Sequence, residues 1–403
     1  MRSQPRIGIS FPRLQINIHI LGTTWAWMPY SAFHGYVHGI LFGMIRSAAL
    51  LAVLVCQAGI PGVGGSPWPT EGWMRSIPAE QDLDGERLAG LVVALRENEI
   101  RNIHSLLIVR NGRLVLEEYF NGHGAEELHE LQSVSKSFTS ALVGIAISRG
   151  EIEDVNQKVL VFFPKMDHIA NVDARKRRMT LEDLLTMRSG TDYHERGPGS
   201  PHFELNSMSR GWTKFILDRP MIAEPGTSFR YDSGAVILTS AILQARTGIH
   251  ADAYAEKHLF APLGIERARW YRNAEGHPHT GGGLHLRSLD MAKLGLLYLR
   301  KGRWEEKQIL PASWVADSLS RQVELEGRRN RVVGYGYWWW VLPPAPGGRG
   351  KQDIYGAFGF KGQYIFVVPE HEMVVVVTAG ARGWNEQNAP IEFLYTHILK
   401  AVR

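Results

Sequence analysis

Along this chain the spacing of apolar residues changes period in an order that outlines a fold. Arg87–Asn98 carries them at helical spacing. Ser105–Val109 and Arg113–Phe120 are apolar, β-rich runs on either side of Asn111-Gly112, a dipeptide suited to the positive φ angles of a tight hairpin. From Phe138 through Ala141, Leu142, Ile145 and Ala146 the spacing is helical again, and Gly150 stands where a helix would end. Further helices are predicted over Leu181–Met187, stopping at Ser189-Gly190, and over Ala235–Thr247, stopping at Gly248. Two more are predicted over Asp290–Lys301 and Ala312–Ser320. Gln363–Val368 and Met373–Thr378 read as strands joined at Pro369-Glu370-His371, and Asn388–Ala401 as a closing helix.

Strands at the start and end, with helices between, predict an α+β fold. One antiparallel sheet is built from both chain ends and flanked by terminal helices, and an all-helical lobe is inserted between them. The seam between sheet and lobe is where a ligand cleft is expected. No internal repeat is visible, and no low-complexity tract interrupts this part of the chain.

Composition narrows the options. The chain has 403 residues, 44% hydrophobic and 21% charged, enough for a large core without staples. Cys56 is the single cysteine, which excludes an intrachain disulfide and a cysteine-rich metal site. The formal charge of +5 is spread thinly. Its one dense run, Arg175-Lys176-Arg177-Arg178, reads as a solvated loop ahead of Thr180-Leu181-Glu182-Asp183, a capping-box helix start. No nucleic-acid partner is expected.

Residues 1–75 differ in kind from residues 76–403, which form the predicted folded domain. Met44-Ile45-Arg46 precedes an apolar run, Ser47 to Cys56, of signal-peptide length, followed by small residues through Gly59 and Gly62 to Ser66. The run is too short for a comfortable membrane span. An export signal begins a chain, so the pattern points to Met44 as the translation start and to a periplasmic or secreted product. A competing reading joins Tyr36–Val55 into an imperfect anchor interrupted by Arg46. Membrane association would then run through this segment alone. Val55 is larger than a lipidation signal before Cys56 usually tolerates.

The candidate chemistry begins at Ser133-Val134-Ser135-Lys136, which occurs once in the chain as Ser-x-x-Lys. A serine hydroxyl is a poor nucleophile until its proton is removed, and a lysine one turn along the same helix face is within reach of it. Lysine becomes a base only where burial or neighbouring charge disfavours its cation. Ser133 falls in the first turn of the predicted helix, where free N–H groups and the positive helix end favour an oxyanion. The alternative is a serine-rich helix start with Ser133 as a cap and Lys136 solvated.

Two further segments bear on that choice. Tyr231-Asp232-Ser233-Gly234 precedes the Ala235 helix, and a tyrosine there can shuttle a proton. By itself it also reads as a surface loop. Gly356-Ala357-Phe358-Gly359-Phe360-Lys361-Gly362-Gln363 runs into the C-terminal strand, and its glycines allow close backbone approach of a substrate. His277-Pro278-His279 lacks a third ligand and is read as a loop, so no metal or cofactor is expected. No Gly-x-Ser-x-Gly nucleophile elbow is present. Tyr335-Gly336-Tyr337-Trp338-Trp339-Trp340 could line a pocket or fill the core.

In this order and spacing the three segments resemble the serine beta-lactamase and penicillin-recognising hydrolase family. The resemblance is closest to its class C-like branch of esterases, D-amidases and 6-aminohexanoate-dimer hydrolase, and covers roughly residues 80–400. Leu181-Glu182-Asp183-Leu184-Leu185-Thr186-Met187-Arg188-Ser189-Gly190 and Thr280-Gly281-Gly282-Gly283-Leu284 look like further signposts of the cleft. The resemblance implies that Ser133 is acylated, that Lys136 activates it, and that Tyr231 passes the proton to the leaving group and helps activate the deacylating water. Ser233 stands where penicillin-binding relatives usually carry asparagine. The third family motif is Lys or His, a small residue, then Gly. The best register here, Ala357-Phe358-Gly359, lacks the basic residue and makes the Phe360 N–H the oxyanion donor beside that of Ser133. The expected activity is therefore cleavage of a small ester or amide through an acyl-enzyme. A beta-lactamase or D-amino peptidase of the same fold, and a non-catalytic ligand-binding member, are the alternatives.

Overall fold

The structure, a computed structural model, describes residues 68–325, 330–345 and 351–403. The expected signal or anchor segment and the Met44 start lie outside the described residues. All residues described here belong to one compact unit, Cys56–Arg403. Among them, no helix is long and apolar enough to cross a membrane.

Helix α1 (Gly85–Arg96) starts at Asp84, whose side chain accepts from the Arg87 N–H, and buries Leu88, Leu91, Val92 and Leu95 on one face. Strands β1 (Ile103–Arg110) and β2 (Arg113–Tyr119) follow. Asn111 and Gly112 make the turn with φ of 51° and 77°, as the hairpin signal requires. After the short strand β3 (His129–Glu130) come helices α2 (Ser135–Ser148), α3 (Leu181–Leu185) and α4 (Ser233–Thr247). The short strands β4 (Arg269–Trp270) and β5 (Leu284–Leu286) lead to helix α5 (Ser288–Leu299). Strands β6 (Arg303–Trp304) and β7 (Lys307–Gln308) form a small hairpin. Strands β8 (Val323–Glu324), β9 (Gly334–Tyr335), β10 (Trp340–Leu342), β11 (Ile354–Gly359), β12 (Gln363–Val368) and β13 (Met373–Ala379) precede the final helix α6 (Trp384–Phe393).

The main sheet is eight-stranded among the described residues, in the order β2-β1-β13-β12-β11-β10-β9-β8. Its pairs are antiparallel, and β1 from the start of the domain lies against β13 from its end. The predicted α+β architecture is therefore the observed one. Strand β13 explains why both faces are covered. Val374 and Val376 face the core shared with α2, α4 and α5, while Met373, Val375 and Val377 face the core shared with α1 and the C-terminal helical segment. A strand buried on both faces reads as a continuous apolar run, which Met373–Ala379 is. The inserted segment is mainly helical and also carries the small sheet β3-β5-β4.

Several elements differ from expectation. The closing helix starts at Trp384, contains Pro390, whose missing N–H leaves the Glu386 carbonyl without its usual helical partner, and passes into a π turn at Leu394–Ile398. The basic run is not a solvated loop. It forms the helical turn Ala174–Arg178, capped by Asp173, which turns Lys176 inward. There Lys176 is buried and donates to the carbonyls of Ala170 (2.9 Å) and Leu217 (2.6 Å), so its cation is satisfied by backbone dipoles. The capping box at Thr180 and Asp183 is present as read.

Candidate active site

Ser133 sits on a 3-10 turn, Gln132–Val134, that feeds directly into α2. It lies just ahead of the regular helix rather than within its first turn. Gln132 has φ of 50°, a left-handed conformation that costs a non-glycine residue energy and turns the backbone sharply before the serine. Neither the turn nor α2 uses a side-chain cap, so Ser133 is not a helix cap. Its side chain is half-buried and reachable.

Lys136 is fully packed, at 1% exposure. Its Nζ donates to Ser133 Oγ at 2.7 Å and to the Gly281 carbonyl at 2.6 Å. Burial lowers its pKa to about 8, against the opposing pull of Glu195 and Asp232. The turn and the helix start together set the Ser133 hydroxyl against a buried lysine of lowered pKa, one turn further along the chain as the three-residue spacing predicts. Gly281 can sit here because it has no side chain, since a Cβ there would lie 3.1 Å from that of Ser233. The glycine-rich segment Thr280–Leu284 thus supplies the second anchor of the lysine.

Tyr231 lies beside this pair, and burial raises its pKa, keeping the phenol protonated. The Lys136 ammonium lies 5.0 Å from its ring centroid. Trp340 stacks on Tyr231: its ring lies 5.5 Å from that of Tyr231 at an interplanar angle of 21°. Of the aromatic run, Tyr337, Trp338 and Trp339 are core, Tyr335 is buried with its ring edge-on to Tyr231 at 6.4 Å, and Trp340 stacks on the same tyrosine.

Ser233 opens α4 and is buried, with both its N–H (3.0 Å) and its hydroxyl donating to Glu195 Oε1. Asp232 caps α4 by accepting from the Ala235 N–H at 2.9 Å, and burial pushes its carboxyl up to about 7. Glu195 was missed by sequence reasoning. It belongs to the loop between Thr191 and Ser200, where no periodicity or motif distinguishes it, and only the fold carries it to Ser233.

The third segment runs into strand β12 as read, and its first half, Gly356–Gly359, is in addition the end of a strand of its own, β11. Its residues pair with β12, Ala357 opposite Ile365 and Gly359 opposite Gln363. Lys361 and Gly362 turn the chain, with φ of 63° and 93°. Gly359 lies against the Ser133 turn so closely that a Cβ would stand 2.4 Å from the Leu131 carbonyl oxygen. Phe360 follows on the exposed rim, and Ala357 is buried. The structure thus brings together Ser133, Lys136 and Tyr231, sets Ser233 beside them through Gly281, and places Gly359 and Phe360 at the edge of the same turn. His277 and His279 lie apart from each other's chemistry: His279 is buried on Asn206 Oδ1 at 3.0 Å.

Comparison with known proteins bears on the family and the fold. The Beta-lactamase family model matches residues 88–397. The 6-aminohexanoate-dimer hydrolase of Paenarthrobacter ureafaciens is 24% identical over 331 residues, 76% of this chain and 81% of that protein. The octameric penicillin-binding protein homologue from Pyrococcus abyssi superposes with a TM-score of 0.61 at 20% identity, covering 78% of this chain and 77% of the other. EstCE1, a hydrolase with promiscuous acyltransferase activity, superposes with a TM-score of 0.65 at 19% identity, covering 80% and 99%. The matched region contains the Ser133 turn, the Tyr231 loop and strand β11, and the chain belongs to the beta-lactamase family.

Proposed function

We propose that this protein is a serine hydrolase that cleaves a small ester or amide through an acyl-enzyme on Ser133. The observation that carries this reading is the pairing of Lys136 Nζ with Ser133 Oγ at 2.7 Å, with the Tyr231 ring centroid 5.0 Å from the same Nζ. Ser133 Oγ attacks the carbonyl carbon while neutral Lys136 accepts its proton. Tyr231, protonated by its surroundings, delivers a proton to the departing alcohol or amine. The same groups then deprotonate a water that releases the acid and regenerates the serine. Backbone N–H groups of Ser133 and Phe360 stabilise the oxyanion in both halves.

Ala357 supports esters or linear amides over beta-lactams. It occupies the position where the family motif has a basic residue, and a buried methyl group offers no charge to a carboxylate. The similarity to a relative named 6-aminohexanoate-dimer hydrolase points in the same direction, toward an open-chain amide.

A fluorophosphonate probe should label Ser133 alone, identified by mass spectrometry of the modified peptide. Ser133→Ala should abolish labelling. Tyr231→Phe should fold and lose roughly 10²–10⁴-fold in turnover, the usual range for a general acid–base group. Combining it with Lys136→Ala should cost less than the product of the single effects, because the residues act as a unit. A label on Ser135 or Ser233, or full activity in Ser133→Ala, would leave the ligand-binding alternative as the better one. Parallel assays on chromogenic esters, a D-amino-acid amide and a cephalosporin separate the substrate classes.

A further inference from the structure

We propose that His104, His123 and His129 form a binding site for a divalent zinc-class metal ion, which ties strand β3 to the main sheet just ahead of the nucleophile turn. The three come from different elements: β1, the loop after β2, and β3. One ring nitrogen of each lies within 4.8 Å of the other two. His104 Nδ1 and His129 Nε2 face each other at 2.8 Å, and the His104 and His123 rings stack with centroids 3.6 Å apart. Zinc–nitrogen bonds of about 2.0–2.1 Å at a tetrahedral angle require nitrogens about 3.3 Å apart, so small ring rotations admit an ion.

The outer hydrogen bonds are those of a histidine metal site. His129 Nδ1 lies 3.3 Å from the Glu130 carbonyl, and His123 Nδ1 lies 2.8 Å from Glu127 Oε2. Donation from Nδ1 to a carbonyl or carboxylate leaves Nε2 as the lone-pair nitrogen and fixes the ring, the usual support for a metal-bound imidazole. His104 offers Nδ1 in turn. Space for its ring is kept by Gly380, where a Cβ would lie 2.8 Å from His104 Nε2. All three rings are half-buried, so an ion can enter, and a fourth position is open to water or to Glu127 after it rotates. The site is distinct from the catalytic groups, yet β3 runs directly into Leu131, Gln132 and Ser133. A bound ion would therefore hold the approach to the strained Gln132.

The test uses the full chain without an added histidine tag, stripped with a chelator and titrated with Zn²⁺ by calorimetry. One ion per chain should bind at micromolar concentration or tighter, and the thermal midpoint should rise as the site fills. His104→Ala and His123→Gln should each weaken binding at least about tenfold and remove the zinc-dependent rise. His123→Gln alters a loop residue and keeps the test valid if His104→Ala misfolds. His277→Ala, which removes a histidine from the separate His250–His277 pair, should change neither. Absence of saturable binding at micromolar zinc, or unchanged affinity in both variants of the proposed site, would overturn the proposal whatever the hydrolytic activity.

Discussion

Lys136 shows how one residue can carry both a cost and a function. Its ammonium is buried against a hydroxyl and a carbonyl, and no carboxylate hydrogen-bonds it among the described residues. Burial lowers its pKa from 10.5 to about 8. The unfolded chain binds the proton more tightly than the folded one, so the group opposes folding below about pH 8, and that penalty is relieved as pH rises toward 10.5. The same depression makes it a usable base. The acylation rate should therefore rise with pH through an apparent pKa near 8 and level off above it. A stopped-flow profile with a neutral ester reads this directly. A rate already flat between pH 6 and pH 9 would show that Lys136 is not the proton acceptor, using the pH range in which an about-8 group must titrate.

Among the elements, β11 and the turn before α2 are coupled by an absence of atoms. Gly359 allows the strand end to touch the Leu131 carbonyl, one residue before the strained Gln132. Gly359→Ala must separate the two, since a Cβ at 2.4 Å from a backbone oxygen cannot be accommodated by a side-chain rotation. We expect about 1–3 kcal/mol of lost stability from this overpacking and a larger proportional loss of Ser133 labelling than of folded protein. Chemical denaturation and probe labelling on the same sample distinguish the two effects. Normal labelling in the folded variant would mean that the contact is structural alone.

At the scale of the whole molecule, the sheet is the platform that both cores share, and α5 is seated on it through Gly295. A Cβ there would lie 2.4 Å from Val374 Cγ1 and 3.0 Å from Ile365 Cγ2. Gly295→Val should lift the helix from the sheet and lower stability by about 1–3 kcal/mol, seen as a lower thermal midpoint. Labelling of Ser133 in the remaining folded protein should persist, because α5 docks on the sheet rather than on the nucleophile turn. An unchanged midpoint would show that the sheet yields more than its close packing implies.

Local chemistry decided part of this protein before any folding. The Asn111-Gly112 hairpin, the Thr180–Asp183 capping box and the Gly248 helix stop follow from backbone preferences of single residues, and they are legible as such. The apolar periods of β1, β12, β13, α1 and α2 follow from burial on one or two faces, which imposes a spacing that can be read. Ser133 and Lys136 lie one turn apart in a single stretch of chain, so local geometry alone pairs them. Glu195, the Gly281 carbonyl and Trp340 come from separate segments and meet Ser233, Lys136 and Tyr231 only through tertiary packing; the glycine run and the aromatic run mark the last two as candidates without saying what they touch, and nothing in its own neighbourhood marks Glu195. The same holds for His104 and His129, which stand 25 positions apart, lie in different sheets, and face each other only through tertiary packing. Strand β11 reads in sequence only as a glycine-rich approach to the next strand, because glycine suppresses the apolar alternation that reveals strands. What the chain settles locally is which segments are helix or strand and where the nucleophile lies. Long-range contact alone decides which distant polar groups surround it, because the free energy of those contacts is gained only when the sheet has closed.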